Sequence, residues 1–327
     1  QTGGTINGSG VQTLSGGFNQ SGGSTGDTVD INAATFTQSN SATIGAGTKV
    51  TSSGAQTLSG GTIAGNLDGA GAVTVDTATT SLTGAGAITG ASAIGIVAGG
   101  TLASDGDGIS DAVTVTNDGV LTLTGDETIG ALQGGGTMNL TGATLSTGIN
   151  NTSTTFSGNA SGTGGLIKQG TGAFTLSGAN TYAGDTEVID GTLILSGGSA
   201  IADGAEVVVT GPGVLQVDTA ETVGALNGSG DITLNATLTS GQAGLATAAT
   251  GDISGAGGMT MAAAGWLTLS GNNTYAGLTT VESGALLTAA SNTALGSTAA
   301  GTVVAAGGTL ELTGRAAHIA EALHQYL

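Results

Sequence analysis

The sequence predicts an all-β protein, a parallel β-helix (β-solenoid) in which short strands coil into an elongated rod. Three observations predict it. Glycine makes up 65 of the 327 residues, whereas proline occurs once. The segments between glycines are short and alternate Val, Ile or Leu with Thr or Ser, which is the period of a β-strand. Long stretches recur at a fixed distance, which is typical of repeat architectures.

The longest recurring stretch covers residues 165–195 and returns at 258–288, 93 residues later. Coils of a β-helix take roughly 20 to 25 residues, so this unit predicts about four coils. We expect strands of successive coils to stack and their inward aliphatic side chains to form one continuous core. Tyr182 and Tyr275 are interpreted as residues packed at a coil corner, with Asn180 and Asn273 holding the turn. Exposed contact residues are the alternative for the two tyrosines.

Three segments are predicted. Residues 1–111 form degenerate β-solenoid coils, in which Gly10–Gly17 recurs as Gly54–Gly61. Residues 112–314 contain the tandem repeats of about 93 residues. The tail, 315–327, has Ile319, Leu323 and Tyr326 on one helical face. It is either a short C-terminal helix that caps the coil or an unrelated extension.

The charge balance excludes several classes of partner. The net charge is −19, and the cations are Lys49, Lys168 and Arg315. Such a chain repels phosphate backbones and anionic membranes, so we expect no nucleic-acid binding. Direct membrane insertion of this segment is not expected, because no apolar run approaches the roughly 20 residues of a membrane helix. The absence of cysteine is compatible with a bacterial cell surface.

Catalytic signatures are weak, and we predict no catalytic residue and no enzyme activity. The Gly-x-Ser-x-Gly signature is absent, and both histidines fall in the tail. Paired carboxylates could cleave polysaccharides on a β-helix, and the candidates are Asp185 with Glu187 and Asp105 with Asp107. A polysaccharide-active enzyme is therefore kept as a weaker alternative.

One acidic stretch is a candidate metal site. Asp105, Asp107 and Asp111 lie close together in a glycine-containing loop, and Ca²⁺ prefers carboxylate oxygens in such an arrangement. The EF-hand pattern is not completed, because no Glu follows at its last position. Calcium is the candidate cofactor, and a solvated acidic turn is the competing interpretation. No other cofactor is predicted.

The frame around the two tyrosines carries a family resemblance. It reads GxLxLSGxNTYxGxTxVxxGxL and stands at Gly172–Gly184 and Gly265–Gly277. It resembles the autotransporter-associated β-strand repeat of Gram-negative passenger domains. A GALxG element at 130–134 and 224–230 fits the same pattern, whereas residues 1–111 match only in style. The resemblance implies a right-handed β-helix, export across the outer membrane and a role as a surface adhesin or biofilm factor. The missing signal peptide and translocator barrel are expected of a passenger fragment.

The resulting functional hypothesis is a non-catalytic extracellular passenger, located at the bacterial cell surface, that acts as an adhesin or stalk in adhesion, aggregation or biofilm formation. Its expected partners are copies of itself or ligands on host or bacterial surfaces. The main alternative is a self-assembling extracellular fibre of solenoids stacked end to end as a homo-oligomer. Ice binding by Thr-x-Thr strands is a further alternative, which requires regular stacking of threonine pairs on one flat face.

Overall fold

The computed structural model describes residues 5–6, 10–13, 16–25, 29–241, 244–313 and 323–325. All regular structure in these residues is β-strand, so the predicted all-β class is confirmed. The described residues contain no helix that is long and apolar enough to cross a membrane. The chain forms two compact units, residues 1–164 (unit 1) and 165–327 (unit 2). The boundaries predicted at 111/112, where the tandem repeats begin, and at 314/315, where the tail begins, stay predictions.

The strands of unit 1 are β1 (Thr5–Ile6), β2 (Gly10–Thr13), β3 (Phe18–Gln20), β4 (Ser24–Thr25), β5 (Val29–Ala33), β6 (Phe36–Ser39), β7 (Thr43–Ile44), β8 (Lys49–Ser52), β9 (Gln56–Ser59), β10 (Gly61–Ile63), β11 (Asn66–Gly69), β12 (Val73–Val75), β13 (Thr79–Leu82), β14 (Ala87–Thr89), β15 (Ile94–Ile96), β16 (Thr101–Ser104), β17 (Thr114–Asn117), β18 (Val120–Leu123), β19 (Glu127–Ile129), β20 (Ala131–Gln133), β21 (Thr137–Leu140), β22 (Leu145–Thr147), β23 (Thr154–Phe156) and β24 (Asn159–Gly162).

Unit 1 is a parallel β-solenoid. Sheet 1 stacks nine strands in the order β1-β4-β7-β10-β13-β16-β18-β21-β24. Sheet 2 contains β2, β5, β8, β11 and β14, and sheet 3 contains β3, β6, β9, β12, β15, β17 and β20. In the first coils the chain therefore visits the three sheets in turn. Successive strands of one sheet pair in parallel at a separation of about 20 residues, as with Ser24 and Thr43.

The strands of unit 2 are β25 (Leu166–Lys168), β26 (Ala173–Leu176), β27 (Thr186–Val188), β28 (Thr192–Leu195), β29 (Glu206–Val209), β30 (Val214–Val217), β31 (Glu221–Val223), β32 (Ala225–Gly228), β33 (Asp231–Leu234), β34 (Leu238–Ser240), β35 (Ala246–Ala249), β36 (Ile253–Ser254), β37 (Met259–Met261), β38 (Trp266–Leu269), β39 (Thr279–Val281), β40 (Leu286–Ala289), β41 (Thr302–Val304), β42 (Thr309–Leu312) and β43 (Leu323–Gln325).

Unit 2 is also a parallel β-solenoid with three sides. Within it, sheet 4 stacks β25, β27, β29, β32, β35, β38, β40 and β42. Sheet 5 contains β26, β28, β30, β33 and β36, and sheet 6 contains β31, β34, β37, β39, β41 and β43. Every pairing within the unit for which the register is known is parallel, as between β28 and β30. The predicted parallel solenoid is thus confirmed.

The core of each unit is a set of stacked apolar ladders, most of whose members are aliphatic. In unit 2 one ladder joins Phe174, Leu193, Leu215, Ile232 and Ile253, which are in register and buried. The alternation of buried and half-buried positions along β28 or β30 explains this, because neighbouring side chains of a strand point to opposite faces. Each buried Leu or Ile stabilises the fold by about 1.5–3 kcal/mol. The repeated Val, Leu and Ile positions of the sequence are therefore the inner wall of the coil.

The 93-residue repeat does not close on whole coils, so the prediction of about four coils is wrong in detail. β25 lies in sheet 4, but its counterpart 93 residues later, β37, lies in sheet 6. The chain passes through four complete turns and two further sides between them. Coils in the structure are nearer 20 residues than 25. Each copy of the repeat therefore starts on a different side of the solenoid.

The prediction of a C-terminal helix is wrong for residues 323–325, the part of the tail that the structure describes. Leu323 belongs to β43, which pairs in parallel with β41 through Thr302 and Leu323. Stacking on an existing strand satisfies backbone groups that a short isolated helix would leave to water. The other members of the predicted helical face, Ile319 and Tyr326, lie outside the described residues.

Candidate functional site

The repeat turn, residues 178–185 and 271–278, takes the place of a strand. In the first copy it joins β26 to β27 and occupies the side of the solenoid on which later coils place the strands of sheet 6. In the second copy it joins β38 to β39 and occupies the side of the solenoid on which earlier coils place the strands of sheet 5. The turn therefore follows the repeat from one side of unit 2 to another. This position makes it a corner piece of the coil.

Buried asparagines connect the repeat turns to neighbouring coils. The Asn273 Oδ1 atom accepts the Ile253 N–H at 2.9 Å, and its Nδ2 donates to the Ala294 carbonyl at 2.6 Å. Asn180 likewise donates from Nδ2 to the Ala200 carbonyl at 2.7 Å. Both amides are buried. One Asn273 side chain thus joins three successive coils, which confirms that these asparagines hold the turn.

The two tyrosines of the repeat are core residues. Tyr182 and Tyr275 are fully buried, each at 0% exposure. Their hydroxyls bond to the Thr186 and Thr279 hydroxyls at 2.7 and 2.6 Å. Burial raises the pKa of Tyr182 well above its usual range. The prediction that they pack at a coil corner is confirmed, and they are not exposed contact residues.

Two buried glutamates form a second kind of connection between coils, which the sequence reasoning missed. Glu127 accepts the Ser104 hydroxyl at 2.8 Å and the Gly108 N–H at 3.1 Å. Glu221 accepts the Ala200 and Ile201 N–H groups at 3.1 and 3.0 Å. The signal was present, because both residues open the related strings ETIGAL and ETVGAL.

Burial makes both carboxylates hard to ionise. Desolvation raises the pKa of Glu127 to about 7, and the nearby charge of Asp107 acts in the same direction. The hydrogen bonds from Ser104 and the backbone oppose this rise without cancelling it. Burial also raises the pKa of Glu221. A perturbed carboxyl can mark a catalytic acid, but here the carboxylate oxygens are taken up by backbone N–H groups of an adjacent coil.

Lys168 is a buried cation that caps a turn. Its Nζ donates to the carbonyls of Gln169, Gly170 and Asp190 at 2.9, 2.6 and 3.0 Å. Burial lowers the pKa of Lys168 to about 8, and the Asp190 charge partly offsets that effect. Met261 occupies the same place in the second copy, so the repetition gave no signal for this role.

The carboxylates predicted to bind calcium lie on the outer surface. Asp105, Asp107 and Asp111 are exposed. An Asp105 oxygen accepts the Gly84 N–H at 2.8 Å, and Asp107 adopts a left-handed φ of 50°. Over the part of the chain that the structure describes, no group of three or more acidic, His or Cys side chains is arranged to hold a metal. Calcium binding here stays a prediction.

The other predicted pair, Asp185 and Glu187, also lies outside the core. Asp185 is exposed in the repeat turn, and Glu187 is half-buried on the outer side of β27. Of the histidines, His318 lies outside the described residues, and His324 belongs to β43.

The outer face of sheet 1 carries a row of short, uncharged and mostly polar side chains in strand register. In sheet 1 of unit 1 the row, called the sheet 1 row below, is Thr43, Thr62, Ser81, Ala103, Thr122, Asn139 and Ser161. None of the described sheet 1 strands contains a charged residue or a histidine. Ser161 and Asn139 bond at 3.1 Å and Asn139 and Thr122 at 3.3 Å, along the row. By contrast, sheet 2 of the same unit contains the ion pair Lys49–Asp68 at 2.8 Å.

The fold and this distribution of polar groups define a class: a repeat β-solenoid whose distinctive motif is structural. The family model described as Passenger-associated-transport-repeat matches residues 166–195 and 264–288. Those residues contain both repeat turns, so the resemblance to autotransporter passengers is confirmed.

Among characterised proteins, the chain is 34% identical over 165 residues to the Adhesin BmaC autotransporter of Brucella suis biovar 1 (strain 1330). That alignment covers 49% of this chain and 4% of the relative. The chain therefore spans a small part of that protein's length. No solved structure matches the chain.

Proposed function

We propose that this chain is a non-catalytic part of an autotransporter passenger, surface-exposed or secreted, and that its outward faces act in adhesion. One observation carries the proposal. The buried ionisable side chains Glu127, Glu221 and Lys168 are engaged in hydrogen bonds between or within coils, whereas the outer face of sheet 1 presents short uncharged side chains. Periodic rows of this kind suit many weak contacts that add up.

The adhesive proposal is supported by similarity as well. The passenger repeats connect the chain to autotransporters, and the relative is named an adhesin. The sheet 1 row, which includes Thr62 and Thr122, is uncharged and does not repel a charged partner, although the chain as a whole has a net charge of −19. A surface ligand that contacts several successive coils would bind through multivalency, because many weak contacts add up even though each contributes little alone.

Bead attachment tests the adhesive proposal. Beads covalently coated with the purified chain are expected to attach to cultured cells or matrix-coated glass more than albumin-coated beads do. Beads coated with heat-unfolded chain control for stickiness, because unfolding destroys the strand register. Attachment no greater than that of albumin beads on every surface would rule the proposal out.

Two competing functions have their own readouts on the same sample. Electron microscopy is expected to show particles of fixed length, whereas indefinite filaments would favour the self-assembling fibre. Incubation with neutral and acidic polysaccharides is expected to release no new reducing ends. Release that Asp185→Asn or Glu187→Gln abolishes would favour the polysaccharide-active enzyme.

Calcium binding by Asp105, Asp107 and Asp111 is proposed as an accessory property of the same surface. Their exposed carboxylates lie in one loop, and ligand oxygens of this type suit Ca²⁺. Millimolar calcium is expected to raise the melting temperature, and magnesium to raise it less. Asp107→Asn should remove the difference. An unchanged melting temperature in calcium would end this proposal.

A further inference from the structure

Trp266 is the one tryptophan of the chain, and it lies on the outside. It begins β38 in sheet 4, and 53% of its surface is exposed. Tryptophan is the side chain with the most apolar area to bury, and exposed tryptophans are enriched at recognition surfaces. Because sheet 4 stacks strands on both sides of β38, the residue is held on a regular sheet face and not on a loop tip.

The internal repeat shows that the fold does not need this tryptophan. The position 93 residues earlier is Ala173, which begins β26 and is followed by the same alternation of buried and half-buried side chains. The next residues, Phe174 and Leu267, are both buried at equivalent places. An alanine therefore supports the same strand start in the first copy. The large apolar side chain of Trp266 calls for another explanation.

The surroundings of Trp266 combine apolar and hydroxyl groups. Ala246 and Leu286 flank it in register on the two neighbouring strands. Two residues further along the strands, Thr268 and Thr288 pair in register and are half-buried. These outward positions lie about 7 Å along the strand from the ring position. An aromatic side chain beside hydroxyl groups can meet a ligand that is apolar on one face and hydroxylated at its edge.

The charges on the same sheet face limit the chemical class of ligand that can bind near Trp266. The charged side chains on the outer face of sheet 4 in unit 2 are Glu187, Glu206 and Glu311, all carboxylates. The cation of that sheet, Lys168, is buried. Anionic sugars, nucleic acids and anionic lipid headgroups are therefore repelled from this face. The net charge of −19 also opposes close approach of a second copy.

We propose that Trp266 and the adjoining Thr268 and Thr288 form a binding site for a neutral carbohydrate. The C–H face of a sugar ring packs on the indole, whose ring face is negative and attracts the weakly positive C–H groups. The sugar hydroxyls bond to the two threonines: the Thr288 hydroxyl already donates to the Glu311 carboxylate at 3.1 Å and so accepts from the sugar, whereas the Thr268 hydroxyl can donate or accept. The inference rests on the proposed adhesive function for its biological context, because it names a chemical class of surface ligand.

Fluorescence tests binding directly, since the single tryptophan is the reporter. The purified full chain is titrated with cellohexaose, maltohexaose and mannohexaose, and with hexagalacturonic acid as the anionic probe. A saturable change in tryptophan emission is expected with at least one neutral oligosaccharide and not with the anionic one. No response to any neutral probe at tens of millimolar would overturn the proposal.

Variants assign the effect to the residue. Calorimetry is expected to show at least tenfold weaker binding for Trp266→Ala, and binding within about threefold of wild type for Trp266→Tyr. Leu278→Ala is the matched control, because Leu278 is also exposed, at 43%, but lies in the repeat turn. Equal losses in Leu278→Ala and Trp266→Ala would contradict the assignment. Circular dichroism of Trp266→Ala should match wild type, as Ala173 leads us to expect.

Other occupants of the site give distinct results. An emission shift with phosphatidylcholine vesicles but with no sugar would overturn the carbohydrate assignment, as would a dimer in light scattering that Trp266→Ala dissolves. If the Trp266→Ala variant loses sugar binding in calorimetry but beads coated with it still attach, the sugar site is supported. The adhesive function then depends on other ligands. Sugar binding without bead attachment would support the site and count against the adhesive function.

Discussion

At the residue scale, single polar side chains join one coil to the next. Asn273 contacts backbone groups of both neighbouring coils, and Glu221 accepts two consecutive N–H groups of an adjacent coil. A buried amide or carboxylate without partners costs free energy, so these groups stabilise one register only when every bond is made. The polar residues that are most distinctive in the sequence thus specify how coils align.

Asn273→Ala should destabilise the chain by about 2–4 kcal/mol, because it leaves the Ile253 N–H and the Ala294 carbonyl buried and unpaired. Asn272→Ala is the matched control, since the neighbouring Asn272 side chain is exposed. It should change stability by less than about 0.5 kcal/mol. Urea unfolding followed by circular dichroism measures both. Equal midpoints for the two variants would contradict the role of Asn273.

Stability should rise as pH falls from about 8 to 5. Burial raises the pKa of Glu127 from its ordinary value of 4.5 to about 7 in the folded chain, so the folded state binds the proton more tightly. That stabilisation is complete below the unfolded pKa and is lost as pH rises through the folded one. The difference is worth about 3 kcal/mol. Burial lowers the pKa of Lys168 from 10.5 to about 8, so the folded state binds this proton less tightly than the unfolded state does. Lys168 therefore changes the free energy of unfolding mainly above pH 8, where stability rises with pH.

Glu127→Gln isolates this contribution, since it removes the titrating group and keeps an acceptor oxygen for the coil contact. The gain in unfolding free energy between pH 8 and pH 5 should shrink by about 2.5 kcal/mol, because part of the full difference is gained only below pH 5. Glu187→Gln, which removes a carboxylate from the outer face of β27, is the control and should leave the gain nearly unchanged. The explanation fails if both variants keep the wild-type pH dependence.

At the element scale, close stacking of turns requires glycine at particular corners. A side chain added at Gly257 would overlap the Ala236 carbonyl of the preceding coil. The equivalent Gly164 of the first copy would meet the Ala143 carbonyl in the same way. The backbone at Gly257 is not left-handed, so lack of space is the reason for glycine there.

Gly257→Ala should destabilise the chain by about 1–3 kcal/mol, because an alanine forces two coils apart. Gly204→Ala is the matched control: a side chain at Gly204 meets no atom within 4 Å. It should be neutral or stabilising by up to about 1 kcal/mol, since alanine restricts the unfolded chain. Thermal unfolding measures both. A Gly257→Ala variant as stable as Gly204→Ala would contradict tight coil contact.

Elements that depend on local pattern could be predicted from the sequence. The period-two strands, the glycine corners and the buried Tyr182 and Tyr275 follow from alternation and from the repeat. The side of the coil on which each copy begins could not be predicted, because it depends on small differences in turn length summed over several coils. A repeat of 93 residues looks like whole coils until the sheets of β25 and β37 are compared.

The missed site residues have physical reasons as well. Glu127 and Glu221 read as surface residues, because glutamate is seldom buried. Their burial depends on N–H groups of another coil, which no local pattern contains. Lys168 gives no local signal either, because one of the carbonyls that it binds, that of Asp190, belongs to the next coil. The spacing of apolar residues in the tail predicts a helix at Leu323, but the available strand edge of β41 overrides that local preference.

At the scale of the whole molecule, charge is unevenly distributed. The chain has 22 acidic residues, yet the described strands of sheet 1 contain none, and sheet 2 of the same unit contains Asp30 and Asp68. Net charge keeps such a threonine- and glycine-rich protein soluble, while uncharged rows stay available for contact. If adhesion resides in these rows, a charge placed on them should abolish it without unfolding the coil.

The most direct test of the adhesive account is bead attachment by two charge-matched variants. Thr62→Glu with Thr122→Glu puts two carboxylates on the sheet 1 row, whereas Thr51→Glu with Thr89→Glu puts two beside Asp68 on sheet 2. Both variants change the net charge equally, and circular dichroism checks that both fold. We predict that attachment falls at least fivefold in the first variant and stays near wild type in the second. Unchanged attachment in the first variant, or an equal loss in both, would contradict the account.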